Sequence, residues 1–304
     1  MRRSALRDFL TRVLPLSAPL FWGGCCPDDI VDVVVIVDGG VPGGLTDAAC
    51  AQICANGEYP PGKRITDVRG CLEGDLDMGE YLCVTKRLLC GGRAVSGFRY
   101  GLSSGPLIGQ WFSRMAALES ASVVAFRRLA RELASFEAPT ALIHRTSLSA
   151  LEERRHARVI LALAEHFGSG PASVSFENAD THRSLEAVAR ENSVEGVREL
   201  WGAVVNAWQS RHSADPLVRD TLADIANDES GHADLAADIE MWALGRLPEA
   251  SQRRVRDAKR AAVAAVLDDA GLTVPSELVE IAGLPPSAVA RQLATELAGG
   301  VWSS

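Results

Sequence analysis

The chain has 304 residues, of which 47% are apolar and 23% are charged, and its formal net charge at pH 7 is −8. This length and composition are those of a globular protein with one large or two smaller domains, and they exclude a disordered tail. The acidic balance argues against a nucleic-acid partner, because such binding needs a basic surface that neutralises phosphates.

The first 24 residues have the layout of an export signal. Residues 1–12 include four arginines, and residues 13–22 form an apolar run that is too short to cross a bilayer as a helix. The run is followed by Gly-Gly-Cys25, which resembles the processing site of bacterial lipoproteins, where the cysteine is lipidated after cleavage. We therefore expect residues 1–24 to be a signal peptide of the lipoprotein type.

Such a signal predicts a bacterial protein of the cell envelope, either periplasmic or anchored by a lipid. A lipidated Cys25 would tether the chain to a membrane. The alternative interpretation is a cytosolic protein with an irregular start.

Cysteine usage agrees with export. All seven cysteines lie in the first 90 residues, and they are Cys25, Cys26, Cys50, Cys54, Cys71, Cys83 and Cys90. With Cys25 lipidated, the other six are disulfide candidates that allow three bridges in fifteen pairings. Cys50 and Cys54 share one predicted helical turn and are too far apart to bridge each other. A structural zinc or iron–sulfur site is the alternative, although the sequence has no Cys-x-x-Cys pair.

Residues 25–104 are therefore predicted to be a small, Cys-rich region stapled by disulfides and ending in a linker. Residues 30–37 and 81–84 are its two strand-like runs, separated by Gly- and Pro-rich turns. Glycine and serine are frequent between residues 90 and 106, which is typical of a linker.

From residue 105 onwards the sequence predicts four long helices. Apolar residues recur with helical periodicity, and glycine, proline and polar residues divide them into segments 107–136, 139–167, 182–212 and 216–244. Pro139 and Pro216 suit first helical positions, and Asp215 suits the cap before Pro216. The connection over residues 168–181 is the longest, as expected of a crossover between two antiparallel hairpins.

These segments predict a four-helix bundle over residues 105–246. Residues 247–304 are expected to contain two further helices, at 249–269 and 286–297, which cover the bundle or an interface. Large aromatic side chains recur at helical spacings, and we interpret them as core residues rather than as the lining of a substrate pocket. They are Trp111, Phe112, Phe126, Trp201, Trp208 and Trp242.

A repeat of metal-type side chains is the most informative feature of the chain. A glutamate is followed 34 residues later by Glu-x-x-His, and the whole pattern recurs 76 residues further on. The six residues are Glu119, Glu153 and His156 in the first copy and Glu195, Glu229 and His232 in the second. An acid directly precedes each Glu-x-x-His motif, and these acids are Glu152 and Asp228.

The spacing explains how these side chains can meet. Residues i and i+3 share one face of a helix, so each Glu-x-x-His motif presents a carboxylate and an imidazole together. Four carboxylates and two neutral imidazoles carry a charge of −4, which two divalent cations cancel. Mixed oxygen and nitrogen ligands suit iron or manganese, whereas closed thiolate sites suit structural zinc. The repeat therefore predicts a dinuclear metal site.

This pattern resembles that of the ferritin-like di-iron carboxylate superfamily, in which two helices each give a Glu and two others each give Glu-x-x-His. The resemblance covers residues 107–244, and the whole chain is similar to exported, Cys-rich bacterial proteins with a ferritin-like domain. It implies a mainly α fold: a ferritin-like four-helix bundle with a small Cys-rich N-terminal region and extra C-terminal helices. It also implies two iron ions as cofactor, with manganese or a mixed Mn/Fe pair as variants.

The resemblance also gives each residue a role. Glu153 and Glu229 would bridge the two ions. The terminal ligands would be Glu119 with His156 on one ion and Glu195 with His232 on the other. The acid before each motif would accept a hydrogen bond from the imidazole nitrogen that does not bind metal.

The position on the third helix has alternatives. Glu191, Glu195 and Glu199 lie on one stripe, and the repeat selects Glu195. Glu199 has no counterpart in the first copy and would be an additional ligand, a proton shuttle or a surface charge. The ordinary alternative for any of these glutamates is a salt bridge with a neighbouring arginine, such as Arg154, Arg155 or Arg198.

The expected function is that of an oxidoreductase that activates O₂ or peroxide, with an unknown small-molecule substrate and an unknown electron donor. The alternatives are a non-catalytic metal-binding or iron-storage protein and an envelope structural protein whose metal stabilises the fold. Four histidines outside the repeat are expected at the surface, and they are His144, His166, His182 and His212.

Overall fold

The computed structural model describes residues 32–36, 68–73, 80–85, 98–101, 103–176 and 183–302. The predicted signal peptide and five cysteines lie outside the described residues, and these cysteines are Cys25, Cys26, Cys50, Cys54 and Cys90. The described part of the chain is mainly helical, with seven helices and five strands. No helix in this part is long and apolar enough to cross a membrane.

The strands are short and four of the helices are long. The strands are β1 Asp32–Ile36, β2 Val68–Glu73, β3 Glu80–Thr85, β4 Phe98–Tyr100 and β5 Val174–Phe176. The helices are α1 Leu107–Ser135, α2 Thr140–His166, α3 Leu185–His212, α4 Pro216–Leu244, α5 Glu249–Asp269, α6 Ser276–Glu280 and α7 Ser287–Gly299.

The four long helices predicted from the sequence are confirmed to within about three residues at every end. Capping explains where they begin. Asp215 accepts a hydrogen bond from the Leu217 N–H, and Pro216 occupies the first turn of α4. α3 begins later than predicted because Ser184 caps it, its hydroxyl accepting a hydrogen bond from the Ala187 N–H.

The long helices pack in pairs, α1 along α2 and α3 along α4, and α2 also contacts α4. α2 and α4 run in opposite directions, because Arg145 early in α2 pairs with Asp238 late in α4, whereas His156 further along α2 contacts Asp228. A shared apolar core includes Phe112, Ile160, Trp201 and Ile225. The aromatic residues expected in the core are buried, except for Trp242, which is half-buried.

Both regions predicted as linkers contain a strand. β4 pairs antiparallel with β5, and the rings of Phe98 and Phe176 are 5.4 Å apart. This pairing joins the segment before α1 to the crossover between α2 and α3. A strand of three residues is too short to show an alternating pattern, so the sequence did not indicate it. The five-residue helix α6 was missed for the same reason.

The two helices predicted after α4 are confirmed as α5 and α7. The segment between them covers the turn from α3 to α4, where the Gln209 side-chain amide donates to the Ala282 carbonyl at 2.9 Å. Gly283 has a φ of +65°, and a Cβ atom there would lie 2.2 Å from the backbone nitrogen of Ser213. Only glycine fits this close approach without strain.

The three N-terminal strands form one antiparallel sheet in the order β1-β3-β2. β1 and β3 are the strands predicted at residues 30–37 and 81–84, and β2 was not predicted. The register places Cys71 of β2 directly opposite Cys83 of β3. Opposite Cα atoms in antiparallel strands are about 4.5 to 5.5 Å apart, within the roughly 4.4 to 6.8 Å that a disulfide spans. The backbone register therefore permits a Cys71–Cys83 bridge.

Protein purified from an oxidising compartment should give a peptide pair that is linked through Cys71 and Cys83. Digestion without reductant followed by mass spectrometry checks this, and reduction should separate the two peptides. Alkylation of both cysteines in the unreduced protein would contradict the prediction.

Candidate metal centre

The candidate centre lies where α1, α2 and α4 meet. α1 supplies Glu119, α2 supplies Glu153 and His156, and α4 supplies Glu229 and His232. Each of these five residues is at most 1% exposed to solvent. The three-residue spacing in each Glu-x-x-His motif turns both side chains to one face of the helix, and apolar neighbours keep that face in the interior. We refer to these five residues as the carboxylate–histidine cluster.

The cluster is compact. Potential ligand atoms of Glu119, Glu153, His156 and Glu229 lie within 4.8 Å of one another. The Nδ1 atom of His156 is 3.5 Å from Glu229 Oε1, and the Nδ1 atom of His232 is 3.1 Å from Glu153 Oε1. Each imidazole therefore faces the glutamate of the other motif, and the two glutamates lie between the two rings.

The outward nitrogens of both imidazoles are held by acids across the α2–α4 contact. His156 Nε2–H donates to Asp228 at 3.0 Å, and His232 Nε2–H donates to Glu152, also at 3.0 Å. An ionised carboxylate only accepts hydrogen bonds, so each Nε2 carries a proton and the neutral ring has its lone pair on Nδ1. In the neutral form of each ring, the inward-facing Nδ1 is therefore the nitrogen that can bind a metal ion.

Arg155 also donates to Asp228, and its side chain is half-exposed. Glu153 is instead completely buried among the cluster residues. The interpretation of Glu153 as a surface salt-bridge partner is therefore wrong. Arg155 instead pairs with Asp228, the acid that holds the outer nitrogen of His156.

Crowding shifts the protonation of the carboxylates when no ion lies between them. Burial and the neighbouring carboxylates of Glu153 and Glu229 raise the pKa of Glu119 well above its usual range. Burial alone would also raise the pKa of Glu153, but the contacts with His156 and His232 outweigh it and hold that pKa below its usual range. In the metal-free cluster, bound protons and the positive charges of the imidazoles therefore reduce the repulsion between the carboxylates.

The imidazoles respond to the same charges. Burial opposes a charged ring, but the acceptors Asp228, Glu153 and Glu229 outweigh it and raise the pKa of His156 to about 12. The pKa of His232 is also raised, since its acceptors outweigh the effect of burial in the same way. A bound divalent cation would take over this compensating role, because it binds the neutral imidazole and the ionised carboxylate.

Several buried atoms of the cluster lie close to one another but make no hydrogen bond of good geometry within the part of the chain that the structure describes. They are both carboxylate oxygens of Glu153 and of Glu229, Glu119 Oε2, and the Nδ1 atoms of His156 and His232. Buried polar atoms are nearly always satisfied, so such a group of inward-facing acceptors needs a shared partner. A set of carboxylate oxygens and imidazole nitrogens fits iron or manganese. The residues present therefore fit a metal ion.

The sixth predicted ligand, Glu195 on α3, is buried and paired with an arginine. Its Oε1 atom accepts a hydrogen bond from Arg198 at 2.6 Å, which is the contact that the salt-bridge alternative expects. Glu199 is completely buried, and the expectation of a surface charge there is wrong. Glu191 lies outside the cluster and pairs with Arg128 at 2.7 Å.

Sequence reasoning missed one aromatic neighbour of the cluster. The ring of Phe126 lies 5.0 Å from the ring of His232 and is fully buried. Phe126 follows Glu119 by two helical turns, and this spacing was the available signal. Of the four histidines expected at the surface, three are exposed and His182 lies outside the described residues.

Comparisons with protein-family models, with curated proteins and with solved structures gave no match. The class of the protein is therefore defined from its fold and its site alone. It is a mainly helical protein with a buried glutamate–histidine cluster that can hold a metal ion.

Asp228 and Glu152, the supporting acids, accept hydrogen bonds from the outer imidazole nitrogens. Replacing either one, as in Asp228→Ala or Glu152→Ala, should weaken metal binding by about 10- to 100-fold, because the imidazole loses its orienting acceptor. Equilibrium titration with Mn²⁺ measures this. Asp238→Ala is the matched control, since Asp238 is also an α4 acid that contacts α2, but it pairs with Arg145 away from the cluster. Wild-type affinity in both test variants would contradict the role of these acids.

The metal-free and metal-loaded forms should depend on pH in opposite ways. The pKa of His156 is raised from 6.5 to about 12 in the folded protein, so its contribution to stability is full below pH 6.5 and is lost as pH rises towards 12. Glu119 acts in the same direction, because its pKa is also raised. Metal binding requires these protons to leave, so metal affinity rises with pH.

The increase in melting temperature caused by a fixed Mn²⁺ concentration should therefore grow between about pH 6 and pH 8. Thermal unfolding with and without Mn²⁺ across this interval checks the prediction. An increment that stays constant or shrinks with pH would show that the imidazoles and Glu119 do not exchange protons for metal.

Proposed function

We propose that this chain is an exported ferritin-like protein that holds two iron or manganese ions and acts on O₂ or peroxide as an oxidoreductase. The observation that carries the proposal is the reciprocal arrangement of the two Glu-x-x-His motifs. Glu153 faces His232 and Glu229 faces His156, and this supports a bridging role for both glutamates in the proposed site.

The packing of the helices also supports a ferritin-like bundle. Two helix pairs, α1 with α2 and α3 with α4, are joined by the longest connection between consecutive long helices, and α2 contacts α4. This is the topology of two hairpins linked by a crossover. In the proposed site, the ligands come from the interior faces of all four helices, and Glu195 supplies the share of α3.

Bound iron or manganese would supply the redox chemistry towards O₂ or peroxide. The protein residues hold and position it: Glu153 and Glu229 would touch both ions, and the remaining ligands would complete one ion each. Burial of the cluster and the ring of Phe126 beside His232 exclude water from the inner faces of the ligands.

The acids that hold the two imidazoles are themselves accessible to solvent. The side chains of Asp228 and Glu152 are 25% and 41% exposed, and each also accepts the Nε2–H of a buried imidazole. Asp228 and Glu152 therefore connect the buried imidazoles to the surface of the protein through hydrogen bonds.

A second candidate is a metal-binding protein without catalysis, used for iron storage or for structural stability. The burial of all five cluster residues favours it, since closed sites are typical of structural metals. The two candidates differ in what happens when the loaded protein meets O₂.

Anaerobic loading with Fe²⁺ should give about two iron ions per chain, and a pulse of O₂ should then oxidise them rapidly, with a new absorption band. Metal analysis and stopped-flow spectroscopy measure the two results. Iron that binds but does not react would favour storage or structure, and a wild-type protein that binds no metal would overturn the proposal.

Variants separate bridging ligands from terminal ones. Glu153→Ala or Glu229→Ala should lose the coupled pair, because each removes a carboxylate shared by both ions, whereas Glu119→Ala should spare one ion. Glu191→Ala is the control and should keep full stoichiometry, since Glu191 pairs with Arg128 outside the cluster. Metal content per folded chain is the measurement, and loss of binding only in Glu191→Ala would show that α3 contributes a different glutamate.

A further inference from the structure

We infer that Arg198 lowers the metal affinity of one of the two sites, because it binds Glu195. The site formed by Glu119 and His156 then fills first, and the site formed by Glu195 and His232 fills second. This inference rests on the proposed dinuclear site. It assigns to Arg198 a positioning role that controls the occupancy of one ion.

The two copies of the repeat differ at this residue. Arg198 lies three residues after Glu195 and donates to its Oε1 atom at 2.6 Å. The equivalent position in the first copy is Ser122, whose hydroxyl donates to the backbone carbonyl of Leu118. Glu119 accordingly meets other cluster residues, and its Oε2 atom lies 3.9 Å from His156 Nδ1. One terminal carboxylate therefore has an arginine partner at the position where the other has a serine.

Charge balance leads to the same conclusion. With all four glutamates ionised, Arg198 offsets one of their four negative charges. Counting only the four glutamates and Arg198, a first divalent ion leaves a net charge of −1 and a second ion brings it to +1. Without Arg198 the first ion leaves −2, and the second ion brings the centre to neutrality. Arg198 thus competes with the second ion both for the Glu195 oxygen and for the negative charge of the site.

Burial makes this effect larger than that of the other nearby arginine. The side chains of Glu195 and Arg198 are 4% and 13% exposed, so solvent screens their interaction weakly. Arg155 also approaches the centre, but its side chain is half-exposed and it binds Asp228 rather than a proposed ligand. Solvent reduces the effect of such an exposed pair. The dominant asymmetry therefore comes from Arg198.

Titration with Mn²⁺, followed by the paramagnetic resonance signal of the free ion, tests the inference. The wild-type protein should show two classes of site that differ in affinity by about tenfold or more. Arg198→Gln should strengthen the weak class by about tenfold and leave the tight class unchanged. Arg198→Lys should leave the weak class weak, because the positive charge is retained. Arg128→Gln controls for the loss of a buried arginine, since Arg128 pairs with Glu191.

Ligand variants identify the classes even if Arg198→Gln does not fold. Glu195→Gln should abolish only the weak class, and Glu119→Gln should abolish the tight class. The inference would be overturned if two ions bound to the wild type with equal affinity, or if the weak class were unchanged in a folded Arg198→Gln. Either result would still be compatible with the dinuclear site. A wild type that binds no Mn²⁺ and no Fe²⁺ would overturn the proposed function itself.

Discussion

Carboxylates that face one another in a water-excluded interior are the constraint on which the rest of this structure depends. Two charges about 4 Å apart interact by about 4 kcal/mol at the effective dielectric constant of a partly buried site. That is a large fraction of the roughly 5 to 15 kcal/mol that stabilises a domain. The glutamates of the cluster therefore need positive partners, and His156 and His232 lie beside them. The shifted pKa values of Glu119 and His156 are consequences of this need.

The antiparallel contact between α2 and α4 makes each motif the support of the other. Asp228 of α4 holds the outer nitrogen of His156 on α2, and Glu152 of α2 holds that of His232 on α4. The repeated order acid-Glu-x-x-His is what allows this exchange, because the acid and the histidine four residues later lie on neighbouring parts of one face. Any ion bound between the helices would therefore also tighten the packing that positions its ligands.

Local physics explains which features the sequence predicted. Caps such as Asp215 mark helix ends, and the three-residue spacing of Glu153 and His156 brings them to one face wherever the helix lies. The meeting of the two motifs followed from the 76-residue repeat rather than from either motif alone. The buried cluster of Glu119, Glu153, His156 and Glu229 agrees with a metal site of that kind.

Contacts between distant segments of the chain explain which features could not be predicted from the sequence. The pairing of β4 with β5 joins segments that are far apart in the chain, and neither strand is long enough to show its own pattern. An arginine that is close to a glutamate in the sequence can pair with that glutamate or with another acid. The packing of the helices determines that Arg198 binds Glu195 whereas Arg155 binds Asp228. Such choices depend on side-chain burial and rotamers that spacing does not determine.

We propose that two ions bind between Glu153 and Glu229. Anomalous X-ray diffraction from crystals of the protein loaded with Fe²⁺ or Mn²⁺, recorded at the absorption edge of the metal, measures their positions directly. We expect two anomalous peaks, each within bonding distance of both of these glutamates and of one of His156 and His232. Anomalous density that is absent from this cluster, or that lies elsewhere in the protein, would contradict it.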